Sequence, residues 1–523
     1  MEKILFVADR IVDVDGSEAT ALAVQGGRII GKGAEDDFST WTDQNTQRIR
    51  LDGTVLPGFV ESHAHLLMMG QVKEQIDCGT PPNGGVTDIL NRIKEEARRL
   101  GPNQWILGFH YDESLLSERR PPTLEELTAA APANPVYLTH NSGHLAVVNQ
   151  RALDIAGMTV QTSIPGIEKH AGRLTGVLKE ATALEAVSRY IPKPGLDEYV
   201  RYIRSGSADC LKVGVTSMTD AAMGLGDDRN SKLIWDSYQR ASETGDLMVR
   251  VQCYARVRDH DSFVPDPMNS PNLLAGGVKL FADGSIQGHT AALNLPYSDQ
   301  HDEQGMLLYQ PDELADVIHH FHQQRRQVII HCNGDHAIDT AITAYAKILR
   351  DDPGNPLRHR IEHAQMASHE QLIAMKELSV LPSFFVNHVY YYGDRHYSLF
   401  LGPERGQRIS PLRDAVSLDL RFSIHSDCPV TPLNPLYSIY IASTRTTRNG
   451  HILGADQTIS VMDALRAYTS WAAYLGLRED SVGRLMPGLW ADFVVVDRSP
   501  FQNIETSRVL STWVGGECRY MAG

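Results

Sequence analysis

The chain has 523 residues, 42% hydrophobic and 22% charged, an ordinary globular make-up with room for a barrel of about 250 residues and further modules. Its formal net charge of −15, from 49 basic and 64 acidic residues, excludes non-specific binding to nucleic acid or an anionic membrane, since both need a basic face. There is no apolar run of about 18 residues and no signal-peptide pattern, and the six cysteines are scattered without a Cys-x-x-Cys pair, so reduced thiols, a cytoplasmic location and no membrane partner are expected.

Residues 1–57 are predicted as short strands at 4–8, 21–24, 28–30 and 48–51, with Gly26 and Gly27 as a hairpin signal because both tolerate positive φ. The C-terminal end repeats that texture at 493–496, 509–514 and 518–520. These pieces are expected to pair into a small composite β-sandwich domain, 1–57 plus 480–523, that carries no function. Next comes an apolar run with Pro57 and Gly58 at its mouth, ending in His63 and His65. On a strand, side chains at i and i+2 share a face, so the two imidazoles offer a ligand pair for a divalent ion such as zinc. Ordinary hydrogen-bonded histidines are the alternative reading of this stretch alone.

An inserted subdomain of about 70–200 follows, with helical patches at 86–100 and 178–190 and polar clusters at 108–113 and 139–144. A long insert beside a ligand strand is where a barrel enzyme builds a substrate-facing wall. Alternation then becomes regular. Strands are predicted around 214–220, 249–254, 277–281, 328–331, 360–363, 380–385 and 422–427, and helices around 233–244, 312–325, 338–349 and 369–378. This pattern indicates an α/β fold with a parallel sheet. Several of these runs carry a ligand-type residue, often at the C-terminal end, as a (β/α)8 TIM-like barrel does at its active face. The barrel is expected over 58–479. His319, His320 and His322 fall on a predicted helix and read as solvated surface. Cys332 and Cys428 each follow a candidate ligand and should face the core.

His63-x-His65, Lys279, His331, His363 and Asp427, in that order, resemble the metal set of the amidohydrolase superfamily. The runs Val278-Lys279-Leu280-Phe281-Ala282-Asp283-Gly284-Ser285 and Ser426-Asp427-Cys428-Pro429-Val430 resemble the branch that includes N-substituted formamide deformylases (amidohydrolase family 3, YtcJ-like). The chain departs from that branch at His110, between Phe109 and Tyr111, and at Ser142, ahead of Gly143 and His144.

The resemblance implies four imidazole ligands and one carboxylate, a set suited to Zn2+ or a similar ion, whereas calcium or magnesium prefers oxygen ligands. One or two ions per chain are open. In related two-metal enzymes the fourth-strand lysine carries CO2, so Lys279 is expected as a carboxylated lysine bridging two ions. The alternative is an ammonium paired with Asp283 or Glu362 beside a single ion. The implied activity is hydrolysis of an amide, N-substituted formamide or cyclic amide C–N bond by metal-activated hydroxide, with Asp427 as general base and then acid. Tyr111, His144 and His289 are candidates for substrate contacts, with a structural hydrogen-bonding role open beside that. An esterase or lactonase on the same metal site and a catalytically silent scaffold remain as other readings. The expected partner is a small-molecule amide-type substrate, and a homodimer is expected from how such barrels associate.

Overall fold

The computed structural model describes residues 2–225, 230–268, 270–350, 352 and 355–523. Four strands open the chain, β1 (Lys3–Val12), β2 (Glu18–Gln25), β3 (Arg28–Gly33) and β4 (Gln47–Pro57), and β5 (Phe59–Ala64) follows after one residue. Six short strands come next: β6 (Ile76–Asp77), β7 (Ile106–Tyr111), β8 (Val136–His140), β9 (Leu145–Val148), β10 (Ile167–His170) and β11 (Arg173–Lys179). The alternating series holds β12 (Val215–Met223), β13 (Arg250–Arg256), β14 (Leu273–Phe281), β15 (Gln327–Cys332), β16 (Arg360–His363), β17 (Leu381–Phe384) and β18 (Ser423–Ile424). The last strands are β19 (Phe493–Val496), β20 (Val509–Val514) and β21 (Glu517–Met521).

The chain forms two compact units, one built from Met1–Leu67, Ile203–Gly224 and Arg229–Gly523, the other around Met68–Tyr202. In the first unit eight strands make a parallel sheet in the order β18-β17-β16-β15-β14-β13-β12-β5. Its two edges meet just past β18, where Asp427 N donates to His63 O (3.1 Å) and His65 N to Cys428 O (2.9 Å). Helices at Ser231–Thr244, Pro311–Gln323, Asp335–Leu349 and His369–Glu377 separate the strands, giving an α/β, TIM-like barrel. The Asp427 strand is shorter than its sequence suggests: pairing stops at Ile424, and Asp427 opens a turn with φ 53°, closed by Val430 N donating to Asp427 O (2.8 Å).

The same unit holds a seven-stranded sheet, β21-β20-β19-β4-β1-β2-β3, that joins the two ends of the chain. β4 is the seam, parallel to β1 and antiparallel to β19, and Phe6 meets Phe493 and Trp513 edge-on beneath it at 5.0 Å. These strands are hydrogen-bonded as one continuous sheet. Gly58 lies where the chain leaves this sheet for the barrel, and a Cβ there would sit 2.2 Å from Thr216 Oγ1, so no larger residue fits. A buried bidentate pair, Arg250 to Asp492 (2.6 and 3.0 Å), ties a barrel strand to the terminal sheet.

The second unit has a six-stranded sheet, β10-β11-β9-β8-β7-β6. Its helix Val86–Leu100 buries Val86, Ile89 and Ile93 along one stripe. The helix predicted from 178 begins later, at Glu180, because Leu178 pairs with Ala146 in the sheet.

Candidate active site

β5 and the residue after it turn His63 and His65 to one face of the barrel, and β14, β15 and β16 add Lys279, His331 and His363 at or near their C-terminal ends, with Asp427 following β18. His63 Nε2 lies 3.2 Å from Lys279 Nζ and 3.6 Å from Asp427 Oδ1, and His65 Nε2 is 3.1 Å from that same oxygen. The His331 and His363 rings meet edge-on, centroids 4.4 Å apart, and the His63 and His363 rings lie 4.8 Å apart. The six residues of the expected metal set thus come together. His363 and Asp427 sit at φ 68° and 53°, a left-handed backbone that costs energy for non-glycine residues and persists where surrounding structure imposes it.

Partners behind the rings set their orientation. His63 Nδ1 bonds Glu362, whose carboxylate is clamped by Arg360 Nε (2.7 Å) and Nη2 (2.8 Å), all fully buried. His331 Nε2 meets Gly284 O at 3.0 Å. His363 Nδ1 lies 3.1 Å from His425 Nε2, and 4.0 Å from Asp427 Oδ2. Burial, reinforced by Lys279, holds His63 neutral, and burial with His331 does the same for His363. Lys279 is itself buried, which drives its pKa down to about 8 against the pull of Glu362 and Asp427. Among the described residues no ion pair joins Lys279 to Asp283 or to Glu362, although the Glu362 charge reaches it. Asp283 accepts backbone N–H bonds from Ala292 (3.0 Å), Asn333 (3.0 Å) and Gly334 (2.8 Å), and Glu362 is held by Arg360 and His63.

The three expected substrate contacts each have their own surroundings. Tyr111 and His144 belong to the second unit: Tyr111 is in its core, edge-on to His140, and His144 Nδ1 meets Glu180 Oε2 at 3.0 Å. His289 is in the first unit, on the segment after β14, where it meets Asp299 (2.9 Å), Tyr297 and Phe400. It makes no hydrogen bond or ring contact with the six among the described residues. His322 is a correction. His319 is solvent-facing, but helical spacing turns His322 inward, where its Nδ1 lies 2.9 Å from His359 Nε2 and its Nε2 lies 3.3 Å from Asp352. Cys332 and Cys428 are buried as expected.

Sequence reasoning missed His425, which stacks on His63 at 4.8 Å. It also missed Glu61, which takes hydrogen bonds from Ser426 Oγ (2.9 Å) and Tyr468 and is pushed by burial to about 7. The alternation Glu61-x-His63 was the available signal for Glu61, because the two share a face of β5; His425 and Asp427 lie past the end of β18, where that period does not apply.

The donor set fits a divalent cation. Ligand atoms of His63, His363 and Asp427 lie within 4.8 Å of one another, and Asp427 Oδ1 and His65 Nδ1 are buried without a hydrogen bond. Buried polar atoms left in that state call for a partner, and neutral imidazoles with a carboxylate suit zinc-like ions. The amidohydrolase family model matches residues 52–520. The chain is 28% identical to N-substituted formamide deformylase of Arthrobacter pascens, over 98% of this chain and 96% of that protein. It is 27% identical to the putative amidohydrolase YtcJ of Bacillus subtilis (strain 168), over 93% and 92%. A crystal structure of an uncharacterized metal-dependent hydrolase from Pyrococcus furiosus is similar at 25% identity, TM-score 0.76, covering 95% of this chain and all of that one. The chain belongs to the amidohydrolase family, a metal-dependent hydrolase of carbon–nitrogen bonds other than peptide bonds.

Proposed function

We propose that the enzyme hydrolyses the C–N bond of a small amide, with an N-substituted formamide or a cyclic amide as the substrate class, using zinc held by His63, His65, His331, His363 and Asp427. The observation that carries this reading is the convergence of His63, His65 and His363 with Asp427 without hydrogen bonds to its Oδ1. A divalent ion held there would supply Lewis-acid polarisation of the carbonyl and would lower the pKa of water from about 15.7 to about 7. Asp427 accepts the proton that the attacking water gives up and delivers it to the departing nitrogen, acting as base and then acid. His63 and His363, kept neutral by burial, offer lone pairs instead of protons.

Lys279 we read as a carbamate bridging two ions. A buried ammonium needs an anionic partner, and Asp283 and Glu362 are both committed elsewhere. Tyr111, His144 and His289 we retain as substrate contacts. The domain reading is a terminal module of 1–57 with 480–523, a barrel over 58–479 and an insert of about 70–200. Buried free thiols fit a reducing, cytoplasmic setting, and no helix of the described residues is long and apolar enough to cross a membrane.

Elemental analysis of protein purified without added metal tests the centre. Near two zinc ions per chain, falling in Lys279→Ala, is the expected result. Near one, unchanged in Lys279→Ala, overturns the bridging role. None after reconstitution overturns the metal reading. Assays of N-substituted formamides and cyclic amides against esters and lactones test the substrate class; turnover confined to esters or lactones would reassign it.

A further inference from the structure

Each of three histidines in the centre spends one ring nitrogen on an orienting partner, and one of those partners differs in kind. His63 faces the Glu362 carboxylate and His331 the Gly284 carbonyl. An ionised carboxylate only accepts, so the His63 proton is assigned to Nδ1, while His331 Nε2 has both the Gly284 carbonyl and the Asn333 side-chain amide nitrogen at 3.0 Å. His363 instead faces His425, an imidazole, whose nitrogens can donate or accept depending on the tautomer. The direction of that bond has to be set further back.

His425 is fully buried between the rings of His63 and Phe385, stacked on them at 21° and 27°. Its Nδ1 lies 2.9 Å from Ser383 Oγ, which takes a hydrogen bond from Ser423 Oγ at 2.8 Å and lies 3.4 Å from Ser62 Oγ. If His363 Nδ1–H donates to His425 Nε2, then His425 Nδ1–H donates to Ser383, whose two lone pairs serve His425 and Ser423 while its own hydrogen faces Ser62. Every member is satisfied, and His363 Nε2 keeps its lone pair. If the chain runs backwards, His425 donates to His363 Nδ1, the His363 proton moves to Nε2, and that nitrogen can no longer ligate. Only the first direction is compatible with a metal on His363 Nε2.

We propose that His425, backed by Ser383, is a positioning residue that accepts the Nδ1 proton of His363 and so presents the His363 Nε2 lone pair to the metal. This rests on the metal reading above. Outer partners of metal-ligating histidines typically change metal affinity by about 10–100-fold when lost.

The test uses metal-stripped full-length protein titrated with cobalt(II) in competition with a chelator, together with the visible spectrum of the cobalt-loaded form. In His425→Gln the amide oxygen stands where Nε2 stood and can only accept. Affinity is expected within about threefold of the parent protein, with the same bands. His425→Asn is too short to reach His363, so affinity should fall about 10–100-fold and the bands should shift. Equal behaviour of the two variants overturns the proposal: if both bind normally, His425 orients nothing, and if both fail, it is itself a ligand or a packing residue. Should His425→Asn not fold, Ser383→Ala replaces it, with weaker binding and shifted bands expected; an unchanged spectrum and affinity overturns the proposal. If the parent protein binds no cobalt, the metal reading fails instead.

Discussion

Two groups of histidines and carboxylates in this protein contain the same residue types and are prepared for different tasks. In the barrel, His63 gives Nδ1 to Glu362, which leaves Nε2 facing Lys279 and Asp427. In the second unit, Asp112, Glu113 and His140 bring their polar atoms equally close. There, however, His140 Nδ1 accepts the backbone N–H of Ser142 at 3.0 Å, so its proton belongs on Nε2, which points at Glu113 from 3.3 Å. That ring has no lone pair left for a cation. Proximity makes both groups look like metal sites; the hydrogen bond on the other ring nitrogen separates them.

The comparison can be pressed hardest at Asp427. Replacing it with Asn keeps shape and size but removes the base, and kcat for the best amide should fall at least about 10²–10⁴-fold with the folded state intact by circular dichroism. Near-normal turnover would take Asp427 out of the mechanism.

Glu362 comes next. In Glu362→Gln the fully buried Arg360 loses its counter-charge, which should cost roughly 3–5 kcal/mol of stability, read by denaturant unfolding. A loss below about 1 kcal/mol would show that Arg360 finds compensation elsewhere.

A third histidine, His359, extends the contrast away from the centre. Like His140 it accepts a backbone N–H on Nδ1, from Val328 at 3.0 Å. Burial, helped by His322, lowers its pKa from about 6.5 to about 3. The folded value lies below the unfolded one, so the stability it contributes is complete above about pH 6.5 and is lost as pH falls toward 3, a few kcal/mol in all. His359→Gln should flatten that stretch of the stability-against-pH curve; an identical slope in parent and variant would assign the acid sensitivity to other groups.

The smallest expected effect is in the second unit. His140→Asn should leave the metal content of the purified protein unchanged, because the ring offers nothing to a cation. Loss of a metal equivalent in that variant would erase the distinction between the two clusters.

Much of the barrel was legible in the chain itself. The spacing His63-x-His65, the apolar runs that place Lys279, His331 and His363 at or near strand ends, and the strand–helix alternation are local patterns with a local cause: a strand's two-residue period and a helix's 3.6-residue period appear directly in the order of apolar residues. That strands from the two chain ends belong together was legible for the same reason, since both ends carry short apolar runs punctuated by turns; the expectation was a sandwich, and the strands form one continuous seven-stranded sheet.

What only the tertiary structure decided lies between distant residues. The role of Glu362 depends on Arg360 two residues away and His63 some three hundred away. Pattern alone left Lys279 two acid partners, and Asp283 proved to be spent on three backbone amides. His322 looked like surface until the helix face it occupies met His359, and His425 had no visible task until folding set it between His63, Phe385 and His363. Residue types and their local period are written along the chain, whereas the proton on an imidazole is assigned by whichever group folding brings to its other nitrogen, and that group carries no mark in sequence.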